Sequence, residues 1–146
     1  MGARTFTVEQ ANAMLPLVRR IVDDIVTNYR RWKDRVQAFE VATARSAAGQ
    51  PDPDAETLQR EAQDLARDLD GFVAELRALG VEFKGFDQGL VDFPAMLHGR
   101  PVFLCWRLGE PAVRFWHERD AGYEGRQPLE PDGASLFTRS GSASHG

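Results

Sequence analysis

The most reactive-looking part of the sequence is a short cluster at the end of a predicted β-strand, formed by His117, Glu118 and Asp120. An imidazole and two carboxylates can bind a metal ion, and any of them can act as a general base. Adjacent strand residues point to opposite faces, so His117 and Glu118 can share one ion only if the strand ends between them. The favoured interpretation of His117 is therefore a hydrogen-bonded histidine on an apolar sheet face, with the metal site as the alternative.

A second candidate site combines a carboxylate with arginines and aromatic rings. Asp92 lies in a predicted strand, and a half-buried carboxylate needs donors, which Arg107, Arg114 or Arg126 could supply as a planar guanidinium. Arg107 and Arg126 could instead bind an anionic ligand on which the ring of Trp106 or Trp116 stacks. The residues of this predicted ligand-binding site are Asp92, Trp106, Arg107, Trp116, Tyr123 and Arg126.

The single cysteine, Cys105, cannot form an intramolecular disulfide, which fits a reducing compartment and predicts a cytoplasmic protein. As a nucleophile it would need a neighbouring base and an activating field. The predicted pairing of strand residues 101–107 with 112–118 places Cys105 and His117 on opposite faces, so catalysis by Cys105 is not expected. No catalytic residue and no cofactor is assigned, and enzymatic activity is left open.

The composition is that of a soluble globular protein. With 146 residues, 42% hydrophobic and 27% charged, the sequence excludes disordered, collagenous and disulfide-scaffold classes. A formal charge of -4 gives no overall attraction to nucleic acid or anionic lipid, so neither partner is expected. No apolar stretch is long enough for a transmembrane helix.

Two helices are predicted from apolar residues spaced alternately by three and four. The first runs from Val8 to Phe39, with Thr7 and Gln10 as a capping box. The second begins after Asp54 as N-cap and repeats this spacing over residues 58–79, following a loop rich in turn-forming residues at 46–53. So short a connection makes the helices an antiparallel, coiled-coil-like hairpin over residues 7–80. One helix carries mainly basic side chains and the other mainly acidic ones.

From residue 81 onward the apolar period changes to two, which predicts strands at residues 81–84, 89–93, 101–107 and 112–118. A turn at residues 108–111 would pair Val102 with His117. One predicted face then holds Val102, Leu104, Trp106, Val113, Phe115 and His117. The other predicted face holds Phe103, Cys105, Arg107, Arg114 and Trp116. Neither face is plainly polar.

These patterns predict an α+β fold, a long antiparallel helical hairpin followed by a small antiparallel β-sheet. We expect one domain over residues 1–129, made of the hairpin at 7–80 and the sheet module at 81–129. Residues 130–146 contain few apolar side chains, and we expect them to form a flexible C-terminal tail.

Several phrases of the sequence resemble a known family. They are FTVEQANAMLP at residues 6–16, GLVDFPA at 89–95, VFLCWRLGEP at 102–111, FWHE at 115–118 and GRQPL at 125–129. Together they resemble the bacterial domain-of-unknown-function family 2203, over about Arg4 to Leu129. The function of that family is unassigned, so the resemblance implies an organisation and no catalytic residue.

The function expected from these observations is that of a non-enzymatic interaction or scaffold protein that self-associates, most simply as a dimer. Two-sided apolar strands and secondary apolar helix positions leave more apolar surface than one hairpin and one sheet can cover. The alternative is a small-ligand or metal-binding module, possibly catalytic, with its site in the sheet.

Overall fold

The computed structural model describes residues 4–50, 52–130 and 133–138. Two helices come first, α1 at Val8–Ala47 and α2 at Ala55–Ala78. The strands follow as β1 Glu82–Gly85, β2 Leu90–Leu97, β3 Arg100–Arg107, β4 Phe115–Glu118, β5 Gln127–Pro128 and β6 Phe137–Thr138. Short 3-10 helices lie at Tyr123–Gly125 and Gly133–Leu136. The predicted α+β fold is confirmed.

The first helix begins where the sequence predicts. The Gln10 backbone N–H donates to Thr7 Oγ1 at 3.1 Å, and the Thr7 N–H donates to Gln10 Oε1 at 2.9 Å. This reciprocal pair satisfies N–H groups that have no partner within the helix. The helix extends beyond the predicted end at Phe39 to Ala47, which makes it about 60 Å long at 1.5 Å per residue.

The helices pack side by side as the predicted hairpin. Most buried residues of α1 lie in its first half, at Val8, Ala11, Leu15, Val18, Ile21, Val22, Ile25 and Val26. In its second half the structure buries Ala42. In α2 the buried residues are Leu69 and Leu76, near its C-terminal end. The half of the hairpin nearest its loop therefore extends away from the main core. None of the helices in the described ranges is both long and apolar enough to cross a membrane.

The sheet is antiparallel with strand order β1-β2-β3-β4-β5, and β6 pairs with β2 as well. Its inner face joins the buried stripe of α1 in one core and carries Val91, Phe93, Ala95, Leu97, Val102, Leu104 and Trp106. We call the opposite side the outer face. Paired residues share a face, so the outer face carries Asp92, Phe103, Cys105, Phe115 and His117.

The predicted register between β3 and β4 is wrong by one residue. Val102 pairs with Glu118, and Phe103 pairs with His117. The reason is a long-range contact, because Asn12 of α1 accepts the Val113 N–H at 2.8 Å and so holds that backbone away from the ladder. Strand β4 consequently starts at Phe115, and every side chain in it lies on the face opposite to the predicted one.

Three segments, two of them remote in sequence, pair with the edge of β2 that lies opposite β3. Strand β1 pairs with its first residues, and β6 pairs with Met96 and Leu97. Between them the Phe6 N–H donates to the Pro94 carbonyl at 2.7 Å. Pro94 has no backbone N–H, so the bond from Phe6 to its carbonyl oxygen leaves no unpaired backbone group of Pro94 on this edge.

The chain beyond residue 130 differs from the expected flexible tail. Phe137 is 4% exposed and belongs to the core cluster, and the strand that contains it is paired with β2. One aromatic residue next to an unpaired edge is enough to fix this segment, although its composition is polar. Residues 131, 132 and 139–146 lie outside the described residues, so the expectation for them is untested.

Candidate functional site

Three reactive side chains meet on the outer face of the sheet. Asp92 comes from β2, Cys105 from β3 and His117 from β4. Cys105 is directly opposite Asp92 in the ladder between β2 and β3. His117 is opposite Phe103, which lies two residues from Cys105 along β3. Their exposed fractions are 3%, 0% and 2%. One potential metal-ligand atom from each residue lies within 4.8 Å of the other two.

Hydrogen bonds fix the orientation of the His117 ring. Its Nδ1 is 2.7 Å from the backbone carbonyl oxygen of Glu118, and its Nε2 is 2.9 Å from Asp92 Oδ1. A carbonyl oxygen only accepts, so Nδ1 carries a hydrogen and donates it. The bond between Nε2 and Oδ1 then needs one further proton, which either atom can hold. His117 is therefore hydrogen-bonded, as the favoured interpretation expects, but it lies on the sheet face opposite to the predicted one.

The buried environment favours the protonated forms of Asp92 and Cys105. Burial raises the pKa of Asp92, and the hydrogen bond and charge of His117 offset part of that rise. Burial also raises the pKa of the Cys105 thiol to about 12, and the neighbouring carboxylate of Asp92 adds to the effect. Cys105 is therefore a neutral thiol near neutral pH. The sequence predicted low reactivity because His117 would lie on the opposite face. His117 lies on the same face as Cys105, so the low reactivity follows instead from burial and from the neighbouring negative charge.

Cys105 is accordingly expected to resist alkylation in the folded protein. A free cysteine has a pKa of about 8.5, so a pKa of about 12 leaves roughly 1,000-fold less thiolate at pH 8. Iodoacetamide labelling followed by mass spectrometry, with a chelator present, should show modification only after unfolding in urea. Equal labelling rates in native and unfolded protein would contradict the burial of this thiol.

Cationic side chains cover the aromatic residues around the cluster. The guanidinium of Arg119 and the ammonium of Lys84 lie 4.9 Å and 5.5 Å from the Phe103 ring centroid. Arg126 lies 3.7 Å above the ring of Phe115. Each cation shields an aromatic face from water and is attracted by its π-electrons. These contacts explain why Phe103 is buried although it does not face the helices.

A set of hydrogen-bonded polar side chains lies beside Arg126 and Phe115. Arg126 Nη2 donates to both carboxylate oxygens of Glu110, at 2.9 Å and 2.7 Å. Arg107 Nη1 donates to the Tyr123 hydroxyl at 3.0 Å. The Arg126 Nε atom is buried and has no hydrogen-bond partner. The structure thus brings together Arg107, Tyr123 and Arg126 of the predicted ligand site.

The other members of that predicted site are placed elsewhere. Trp106 lies on the inner face, where its Nε1 donates to the Glu110 carbonyl at 3.0 Å. Trp116 pairs with Leu104, also on the inner face, and its ring packs edge-on against Phe137. The interpretation that an arginine holds Asp92 is wrong, because its bonded partner is His117. The one-residue change in register accounts for the displaced Trp116.

The metal ligands predicted from the sequence are not brought together. The carboxylate of Glu118 accepts from Arg100 Nη2 at 2.5 Å, on the other side of β4 from the His117 ring. Asp120 is exposed beyond the end of that strand. Among the described residues, the group with suitable spacing is Asp92, Cys105 and His117. The sequence contains all three residues, but their meeting depends on pairing across three strands.

The fold and this cluster define an α+β protein in which a helical hairpin packs on an antiparallel sheet with a buried acid–imidazole–thiol group. A family model described as "Uncharacterized conserved protein (DUF2203)" matches residues 4–129. The chain belongs to this family, and the resemblance found in the sequence is confirmed. Searches of curated proteins and of solved structures gave no match.

Proposed function

We propose that the protein is a non-enzymatic, cytoplasmic bacterial protein that associates with a second copy of itself through the free half of its helical hairpin, residues 27–68. The observation that carries this proposal is the exposure of the apolar seam there. In α1 beyond Val26 the one fully buried side chain among the described residues is Ala42. Tyr29 and Trp32 still pack against the core, and the half-buried residues of the seam beyond them are Val36, Phe39, Leu58 and Leu65.

Two helices alone cannot bury such a seam on both sides. A lone helix pair is marginally stable in water, and most helix stability comes from tertiary packing of the apolar face. Val41, also in this half, is 48% exposed. Contact with the sheet module reaches as far as Tyr29, which stacks on Phe86 at a centroid distance of 4.8 Å, and Lys33, whose Nζ donates to Asp87 Oδ1 at 3.4 Å. A second hairpin would cover the remaining apolar surface.

The charges of the free half favour a second copy as the partner. A groove of about 510 Å³ between the helices is lined on the α1 side by Arg31 and Arg35. On the α2 side it is lined by Asp64 and Asp68. Within one chain Arg35 already pairs with Glu61 across this groove at 3.1 Å. A two-fold axis would in addition place the basic row of each copy against the acidic row of the other, so both contacts would form together.

The remaining features support the same proposal. The cysteine is free and buried, as suits a reducing compartment such as the cytoplasm. Its thiol is protonated near neutral pH, which argues against nucleophilic catalysis. Tyr29 and Trp32 stack on each other and pack against the core, so they are not free platforms for nucleic-acid bases.

The test is a charge exchange between the two rows. We expect the wild type to have twice the 16.3 kDa mass of one chain in light scattering. A basic-to-acidic variant, Arg31→Glu with Arg35→Glu, and an acidic-to-basic variant, Asp64→Lys with Asp68→Lys, should each be monomeric because like charges then face each other. Mixing the two variants should restore a dimer that contains one chain of each.

A matched control changes the same amount of charge outside the free half. Arg77→Glu with Arg114→Glu alters two exposed arginines and should leave the mass of the assembly unchanged. A wild-type mass of 16.3 kDa at all concentrations would refute the proposal. Failure of the mixed variants to pair would refute the arrangement of the charge rows.

A further inference from the structure

The outer-face cluster of Asp92, Cys105 and His117 has the composition and spacing of a metal centre. It offers a carboxylate oxygen, a thiol sulfur and an imidazole nitrogen, which are the ligand types that zinc accepts. All three side chains are buried, and they come from three adjacent strands. We propose that these three residues bind one zinc ion, independently of whether the protein self-associates.

The spacing requires little rearrangement. Tetrahedral zinc with bonds of about 2.0 Å to nitrogen and oxygen and about 2.3 Å to sulfur places its ligand atoms ~3.3–3.6 Å apart. The Nε2 and Oδ1 atoms are now 2.9 Å apart, so they need to separate by only a few tenths of an ångström. The sulfur of Cys105 already lies within 4.8 Å of the ligand atoms of both partners.

The orientation of His117 is an independent observation in favour of the site. Its Nδ1–H donates to the Glu118 carbonyl, so the other ring nitrogen, Nε2, is directed at Asp92. A histidine that binds a metal through Nε2 commonly donates its Nδ1–H to a backbone carbonyl or a carboxylate, which fixes the tautomer and the ring plane. The supporting hydrogen bond of a zinc ligand is therefore already formed.

The charges balance when a divalent ion binds. Two protons leave for solvent, one from the Cys105 thiol and one from the bond between Nε2 and Oδ1, while Nδ1 keeps its hydrogen. The resulting thiolate and carboxylate carry two negative charges, which one Zn²⁺ neutralises in a buried place where unpaired charge is costly. Three protein ligands leave a fourth coordination position for water or a small ligand.

The experiment uses the full chain, purified without an affinity tag, unfolded with chelator and refolded with or without zinc. Refolding is needed because the buried ligands become accessible when the sheet opens. We expect one zinc per chain by elemental analysis, and a melting temperature that rises with zinc concentration. Refolding with cobalt should give a thiolate-to-cobalt charge-transfer band in the near ultraviolet, which reports directly on Cys105.

Variants separate this site from the alternatives. Cys105→Ser and Cys105→Ala should lower zinc affinity by at least about 100-fold and abolish the charge-transfer band. Asp120→Ala and His98→Asn, which change exposed potential ligands, should bind zinc like the wild type. Absence of stoichiometric zinc, absence of the cobalt band in the wild type, or loss of zinc in Asp120→Ala would each overturn the proposal.

Discussion

An Asp92→Ala variant is expected to lose about 1–3 kcal/mol of folding free energy relative to the wild type. The carboxylate is buried, and it bonds the Nε2 atom of His117 at 2.9 Å. The carboxylate also lies within 4.8 Å of the Cys105 sulfur, which loses that neighbour as well. Truncation leaves these groups without a partner and out of reach of water. Urea denaturation of chelator-treated protein, followed by circular dichroism, measures the change.

Two further variants show whether the missing partner is the cause. Asp120→Ala removes an exposed carboxylate and should change stability by no more than ~0.5 kcal/mol. The double variant Asp92→Val with His117→Leu replaces both partners with apolar side chains and should be more stable than Asp92→Ala. A loss below ~1 kcal/mol for Asp92→Ala would show that the pair contributes little to folding.

A Phe137→Ala variant is expected to cost about 3–5 kcal/mol, because truncation of a buried aromatic ring removes apolar contacts and leaves a cavity. The ring is 4% exposed and packs edge-on against Trp116 at a centroid distance of 6.3 Å. The neighbouring Leu136 is 43% exposed, so Leu136→Ala is the matched control and should have little effect. The thermal denaturation of both variants measures the difference.

The outcome also decides how the end of the chain behaves. If both variants melt at the wild-type temperature, β6 contributes nothing to stability in solution, and the flexible tail expected from composition begins at residue 130. A large loss for Phe137→Ala alone would confirm that the strand is docked. The same measurement on a chain ending at residue 129 should then reproduce that loss.

The helical hairpin could be predicted because its signals are local. Thr7 and Gln10 are neighbours in sequence, and the apolar seam repeats with a helical period. Strand positions in β2 and β3 were also recognisable from the period of two. The register of β4 was not, since the Asn12 contact that delays it comes from the opposite end of the chain.

The candidate site was only partly predictable for the same reason. Asp92 and His117 were both recognised as chemically interesting, but in separate groups. A register error of one residue assigns His117 to the wrong face, away from Cys105. The potential metal ligands that follow His117 in sequence are not directed at it, because Glu118 is the next strand residue and points to the other face, and Asp120 lies beyond the end of the strand. When a site is formed by residues from several strands, its members can be predicted only if the strand register is predicted correctly.

The way the edge of β2 is completed has a consequence for folding during synthesis on the ribosome. On the edge of β2 that lies away from β3, Met96 and Leu97 pair with Thr138 and Phe137, which are near the end of the described chain. A nascent chain that has emerged only through β5 presents this backbone as an open edge, which can pair with a neighbouring nascent chain. The interval between translation of residues 97 and 138 is therefore the period in which a chaperone that shields strand edges would benefit this protein most.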